Sequence, residues 1–305
     1  MPRIPRMKIE DQPTVYHVIS RTALEGLPLE DVEKDFLVDR IKHFSNVYFV
    51  EIMGYCIMGN HFHLLAKMNP GNFYSDKEVI ERFKIFYGDK KDIFEGQIPF
   101  FRDKWSNLSE FIKDIKQSFS RFYNKRHDRK GFFWGDRFKS VIVENGDTLI
   151  NCLAYIDLNP VRAGIVERPE DYRWSSIGYH VQANNKGNFL SLDFGLKGYA
   201  VYNETKRFEM YREFLYEAGA LESKKGASIS NEIIESERQK EYKISKVDRF
   251  KYRTRYFVDS GIIGSKKYVS ENYQKFKDYF QTKKDKQPYR IKGLEEIYSM
   301  KTLSE

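Results

Sequence analysis

Cysteine is scarce: 305 residues contain Cys56 and Cys152 and no others. One lies in an apolar strand-like stretch and the other in an apolar helical one, so both are expected as small core residues and no disulfide is expected. Neither stands near a second ligand cluster at zinc-finger spacing, which sets a structural zinc protein aside. A run of eighteen apolar residues is also missing, and the first ten residues, MPRIPRMKIE, hold no apolar signal core. A cytoplasmic protein with no membrane partner is expected. Acidic residues are outnumbered, 44 against 52 Lys plus Arg, for a formal net charge of +8. Such a balance points to an anionic partner, nucleic acid before membrane surface.

A sizeable core remains possible, since 41% of residues are hydrophobic and 16% are aromatic. The chain opens with a strand-like segment, TVYHVISRT, whose alternation puts Val15, His17 and Ile19 on one face and Tyr16, Val18 and Ser20 on the other. Helical spacing follows from Pro28 to Ser45. Two strands, Glu51 to Met58 and His63 to Met68, then fold about Gly59-Asn60, where a positive φ is expected. Just after that turn come His61 and His63. Residues i and i+2 of a strand share a face, so two imidazoles project from one side while Phe62 goes to the other. Paired histidines of this kind serve packing or the surface as well as metals. Two neutral imidazoles with an oxygen ligand suit a divalent ion that polarises a phosphate oxygen.

Residues 70–106 read as an insertion, with a short helix at Glu78 to Tyr87 and a charged remainder broken by Gly96 and Pro99. Leu108 to His127 is an amphipathic helix, with Phe111, Ile115, Phe119 and Phe122 on its apolar side and a crowd of lysine and arginine elsewhere. Its basic side is read both as a solvated face and as a DNA contact. The loop NKRHDRK follows, with Lys125, Arg126, Arg129 and Lys130. Phe132, Phe133 and Trp134 come next, read as base-stacking rings or, for at least two of them, as core. A strand spans Phe138 to Glu144, and Asp147 is expected to cap a helix that runs to Leu158 and stops at Asn159-Pro160. Tyr155 and Asn159 are i, i+4 on that helix, a phenol and a carboxamide about one turn apart. The bland reading packs Tyr155 on the sheet and lets Asn159 end the helix. The sharper one makes Tyr155 a nucleophile for a phosphodiester. A short helix is expected to begin around Arg173 to Ser176. Beyond His180 the composition shifts at NNKGN, and helices are expected at Lys206 to Gly219, at Glu232 to Phe257 and after an N-capping Ser265. The last twenty or so residues read as loosely ordered.

Four separated motifs, TVYHVISRT, GNHFHLL, FWGDRFKSVIVE and CLAYIDLNPVRAGIV followed by RWSS, resemble in content and order the REP-associated tyrosine transposases, a group of single-tyrosine HUH transposases. The resemblance covers residues 13–180 and implies an α+β fold, a ferredoxin-like antiparallel sheet flanked by helices; residues 181–305 read, by their own pattern, as a mainly helical C-terminal extension. It implies His61, His63 and Asn159 as ligands of Mg²⁺ or Mn²⁺ and Tyr155 as the nucleophile. The partner implied is single-stranded or hairpin DNA, cleaved through a 5′-phosphotyrosine. Arg21, Arg137 and Lys139 sit in the matching motifs and are assigned to the DNA backbone with the loop cations. Asp157 is held as a reserve ligand. The competing readings are a non-catalytic nucleic-acid-binding protein and an RNA-processing enzyme on the same fold. Monomer and homodimer both stay open.

Overall fold

The computed structural model describes residues 6–183, 185–199, 202–220, 226–229, 261–279, 285–291 and 296–301. The elements run β1 (Thr14–Arg21), α1 (Asp31–Ser45), β2 (Val50–Ile57), β3 (His61–Met68), α2 (Asp76–Tyr87), α3 (Ile98–Trp105), α4 (Leu108–Arg126), β4 (Lys139–Val143), α5 (Asp147–Asp157), α6 (Asn159–Arg162) and α7 (Ser176–Gln182). After these come α8 (Glu204–Ala220), β5 (Ile262–Gly264), α9 (Lys266–Lys275), β6 (Tyr289–Arg290) and β7 (Tyr298–Ser299). The strands form one sheet in the order β2-β3-β1-β4-β5-β7-β6, antiparallel throughout except where β4 meets β5. Its first four strands, with α1 crossing from β1 to β2, make the antiparallel sheet with flanking helices expected of a ferredoxin-like α+β protein. Among the described residues no helix is long and apolar enough to cross a membrane.

Strand alternation decides which helices cover which face. Tyr16, Val18, Phe62 and Leu64 are buried with Leu37 and Ile41 of α1 and with Phe111, Ile115 and Phe119 of α4. On the opposite face Val15, Leu65 and Val141 are buried with Leu149, Leu153 and Ile156 of α5 and Leu215 of α8. Burying each such aliphatic chain contributes on the order of 1.5–3 kcal/mol. Helix α5 approaches β2 so closely that a Cβ at Gly54 would run into the Leu153 side chain and force it to move within the core. Cys56 and Cys152 are buried and unpaired, one in β2 and one in α5.

Some local expectations are corrected and others hold. Neither Gly59 nor Asn60 takes a positive φ. The turn is instead anchored through its carbonyls, Gly59 O accepting from Leu29 N at 2.8 Å and Asn60 O from Thr22 N at 3.0 Å. Residues 70–106 pack into the core: Val79, Phe83, Ile98, Phe101 and Trp105 all join the α1/α4 cluster. Pro99 stands in the first turn of α3, where a residue without an N–H is tolerated. Gly146, with φ 83°, caps α5, and Asp147 is the first helical residue, where its carboxylate faces the positive end of the helix dipole. Ser265 is the N-cap foreseen, accepting from Tyr268 N at 3.2 Å. Its own N–H and hydroxyl donate to Glu144 at the end of β4. That tie brings the C-terminal region into the sheet, and the last residues, expected to be loose, supply β6 and β7. The helix expected at Glu232 to Phe257 lies outside the described residues.

Candidate active site

The site forms where the α5 face of the sheet stops being apolar. Along β1 this face reads Val15, His17, Ile19, Arg21. In the β1–β3 register Arg21 stands opposite His61, Ile19 opposite His63 and His17 opposite Leu65. Lys139 at the start of β4 stands opposite Ile19. Strand period and register therefore bring three histidines and two cations from distant segments onto one patch.

Helix α5 supplies the facing wall. Pro160 has no N–H, so the Ile156 carbonyl loses its helical donor. Asn159 fills the gap: its Nδ2 donates to Ile156 O at 3.2 Å and to Tyr155 O at 2.8 Å. The amide nitrogen is thus spent on the helix, and Oδ1 is left as the outward acceptor. The same interruption lets α5 turn into α6, placing Arg162 so that its guanidinium carbon is 5.5 Å from the Tyr155 ring centroid. The Tyr155 ring stands edge-on to His63 and His17, with centroids 5.6 and 5.9 Å away.

A cleft of about 470 Å³ results, lined by His61, His63, Tyr155 and Asn159. Arg21, Arg137 and Lys139 line it too. Seven of the residues singled out in the sequence therefore meet in one cavity. Lys125, Arg126, Arg129 and Lys130 do not line it. Asp157 is not there either. It is buried, accepting from Ser176 Oγ at 2.6 Å, Ile177 N at 3.1 Å and Tyr211 Oη at 2.6 Å. Its carboxylate ties α5 to α7 and α8, and is no reserve ligand.

Burial, reinforced by Arg21, holds the His61 imidazole down at about 4. His63 is held well below its ordinary value by burial, then by His17 and His61. Both rings are therefore neutral near pH 7, the form that coordinates metal. His61 Nδ1 lies 2.7 Å from Asn60 Oδ1, which keeps the proton there and leaves Nε2 as the lone-pair nitrogen. His63 Nδ1 lies 3.0 Å from His17 Nε2. A proton on His63 Nδ1 makes its Nε2 the ligand atom, with His17 fixing the ring from behind. Among the described residues no group of three or more His, Cys, Asp or Glu forms a metal cluster. The donor set that fits a divalent ion is thus two imidazole nitrogens and one amide oxygen, all neutral, with the remaining charge and positions left to a phosphate and water. Burial pushes the Tyr155 phenol up to about 12, with Arg162 pulling the other way.

Sequence reasoning left out His17 and Arg162 as site residues. His17 shares a face with Ile19 by alternation, but its contact with His63 depends on strand register, which one strand does not reveal. Arg162 is seven residues after Tyr155, two helical turns along, a spacing masked by the proline between them.

No protein-family profile matches the chain. A Haemophilus influenzae protein carrying the name REP-associated tyrosine transposase is 27% identical over 162 residues, spanning 51% of this chain and 78% of that protein. The chain is similar to a REP-associated tyrosine transposase. A solved structure of a REP-associated tyrosine transposase bound to a REP hairpin covers 60% of this chain and 87% of its own, at 16% identity and a TM-score of 0.41.

Proposed function

We propose that this chain is a metal-dependent transposase that nicks and rejoins single-stranded DNA at hairpins, with Tyr155 as the nucleophile. The observation that carries the reading is the convergence of Tyr155, Asn159, His61 and His63 with Arg21, Arg137 and Lys139 in one cleft. The similarity to a protein named as a transposase supports it.

Arg21, Arg137 and Lys139 draw a phosphodiester into the cleft and fix its orientation. The rigid wall of α5 holds the Tyr155 hydroxyl toward the phosphorus, so the reacting atoms meet without a search. Oη attacks, a P–O bond to Tyr155 forms, and the bond to the 3′ oxygen breaks. The phenolic proton leaves Tyr155, and the departing 3′ oxygen takes one up as a hydroxyl. A 5′-phosphotyrosine and a free 3′-OH result, and attack by a 3′-OH reverses the exchange. One P–O bond replaces another, so joining needs no external energy source. His61, His63 and Asn159 would hold Mg²⁺ or Mn²⁺, which when bound supplies Lewis-acid polarisation of the scissile phosphate. Arg162, over the phenol, favours its deprotonated form against the effect of burial.

The test uses a labelled hairpin DNA with an unpaired flank. Tyr155→Phe removes one oxygen and should abolish covalent protein–DNA adducts while leaving the binding constant within about twofold. His61→Ala should abolish metal-dependent cleavage in the same assay. Adducts that persist in Tyr155→Phe remove the nucleophile assignment, and cleavage that survives a chelator removes the metal.

A further inference from the structure

A second cleft, of about 630 Å³, adjoins the first, and Arg137 lines both. Its walls are α4 and residues 131–138. Gly131, with φ 96°, turns the chain out of the basic loop. The backbone beyond it is pinned. Asn124 Nδ2 donates to Gly131 O at 2.9 Å. Thr22 Oγ1 and Ala23 N donate to Phe133 O at 3.0 and 2.8 Å. Phe133 and Trp134 are buried in the core, whereas Phe132 between them is 90% exposed. A fixed backbone thus holds an apolar ring in water, an arrangement unfavourable to the protein alone and suited to a partner with a flat apolar face.

The surrounding charge says which partner. The Arg6 guanidinium lies 3.5 Å from the Phe138 ring centroid, and Lys116 Nζ lies 5.4 Å from that of Trp134. Arg121 lines the cleft as well. Among the described residues neither Arg121 nor Arg137 is in an ion pair. The acid in the lining, Glu110, is already neutralised by Lys113 at 2.8 Å. Burial and the neighbouring Arg6 pull the Lys116 ammonium down to about 8, against the opposing pull of Asp136, so a cation is held here partly out of water.

We infer that this second cleft receives the unpaired nucleotide adjoining the phosphate in the first cleft, with its base stacked on Phe132 and its phosphate held by Arg137. The inference rests on the single-strand reading of the first cleft. Stacking uses the π-face that every base has, so the subsite selects for an unpaired base over a paired one and not for sequence.

The experiment uses the full chain, a fluorescent DNA hairpin with six unpaired thymidines on its 5′ or 3′ side, and abasic sites placed singly along that flank. Phe132→Ala should weaken binding roughly tenfold, and Phe132→Trp should restore it. One abasic position should weaken the wild type by the same factor and leave Phe132→Ala unchanged, because both remove one stack. Independent, multiplying losses would overturn the proposal, as would an unchanged affinity in Phe132→Ala. A Phe132→Ala chain that keeps its DNA affinity but shifts from dimer to monomer in sedimentation assigns the face to a second copy, and also overturns it. Adducts at Tyr155 with no effect of Phe132 leave the nicking reading and remove the base subsite. Coupled losses without adducts do the reverse.

Discussion

Two groups of cations were expected on DNA, and the fold treats them differently. Arg21, Arg137 and Lys139, spread over more than a hundred residues, meet in the Tyr155 cleft. Lys125, Arg126, Arg129 and Lys130, adjacent in sequence, line neither cleft. Arg126 Nε donates to Glu33 Oε1 at 3.1 Å, and His127 Nε2 lies 2.9 Å from the same oxygen. Glu33 is 1% exposed, so this end of the basic run anchors α4 to α1. The Arg129 guanidinium carbon lies 5.9 Å from the Tyr123 ring centroid. Density of charge along a chain therefore marks a solvated face and an anchor. Charge brought together by the fold lines the candidate cleft instead.

That contrast is open to direct attack. Arg137 serves both clefts, so Arg137→Ala should have the largest effect among the cations. Losing one preorganised donor at a reacting phosphate slows adduct formation by roughly 10²-fold, measured in a single-turnover assay. The double substitution Lys125→Ala/Lys130→Ala should leave that rate unchanged. It should lower the slope of log affinity against log salt by about one, as expected for loosely held phosphate contacts on a single strand. If the two variants are equally impaired, the loop belongs to the site and the distinction fails.

The sequence made some of this legible. Period-two alternation put His61 and His63 on one face and Phe62 on the other, and the fold keeps both. Helical spacing put Tyr155 and Asn159 together, because i and i+4 are neighbours whatever surrounds the helix. Strand register was not legible, and with it went the His17–His63 contact. Asp157 looked available from spacing alone, but its fate is set by Ser176 and Tyr211, residues 19 and 54 positions away. The three strands β5, β6 and β7 were missed for a related reason. They are two or three residues long, too short for a periodic signal, and depend on the β4 edge and the Glu144–Ser265 tie. Phe132 differed from Phe133 and Trp134 only through the pinned backbone on either side.

Lys116 sharpens the comparison by the smallest effect. Its ammonium sits beside Arg6 and donates to the Asp136 carbonyl oxygen at 3.3 Å. With the free protein's value near 8, a bound phosphate raises it, since an opposite charge favours the charged form. DNA affinity is then fully supported below pH 8 and falls as pH rises from 8 toward the higher value of the complex. Folding runs the other way. The value is lowered from the ordinary 10.5, so the unfolded chain binds more protons between about 8 and 10.5, and stability rises with pH across that window. Wild type should therefore lose affinity by a few-fold between pH 7 and 9, with the salt slope falling by about 0.7. Lys116→Met should show neither change, and Lys125→Ala/Lys130→Ala should show both. A loop variant that lost the pH step would move the pH-sensitive phosphate contact from Lys116 to the NKRHDRK run.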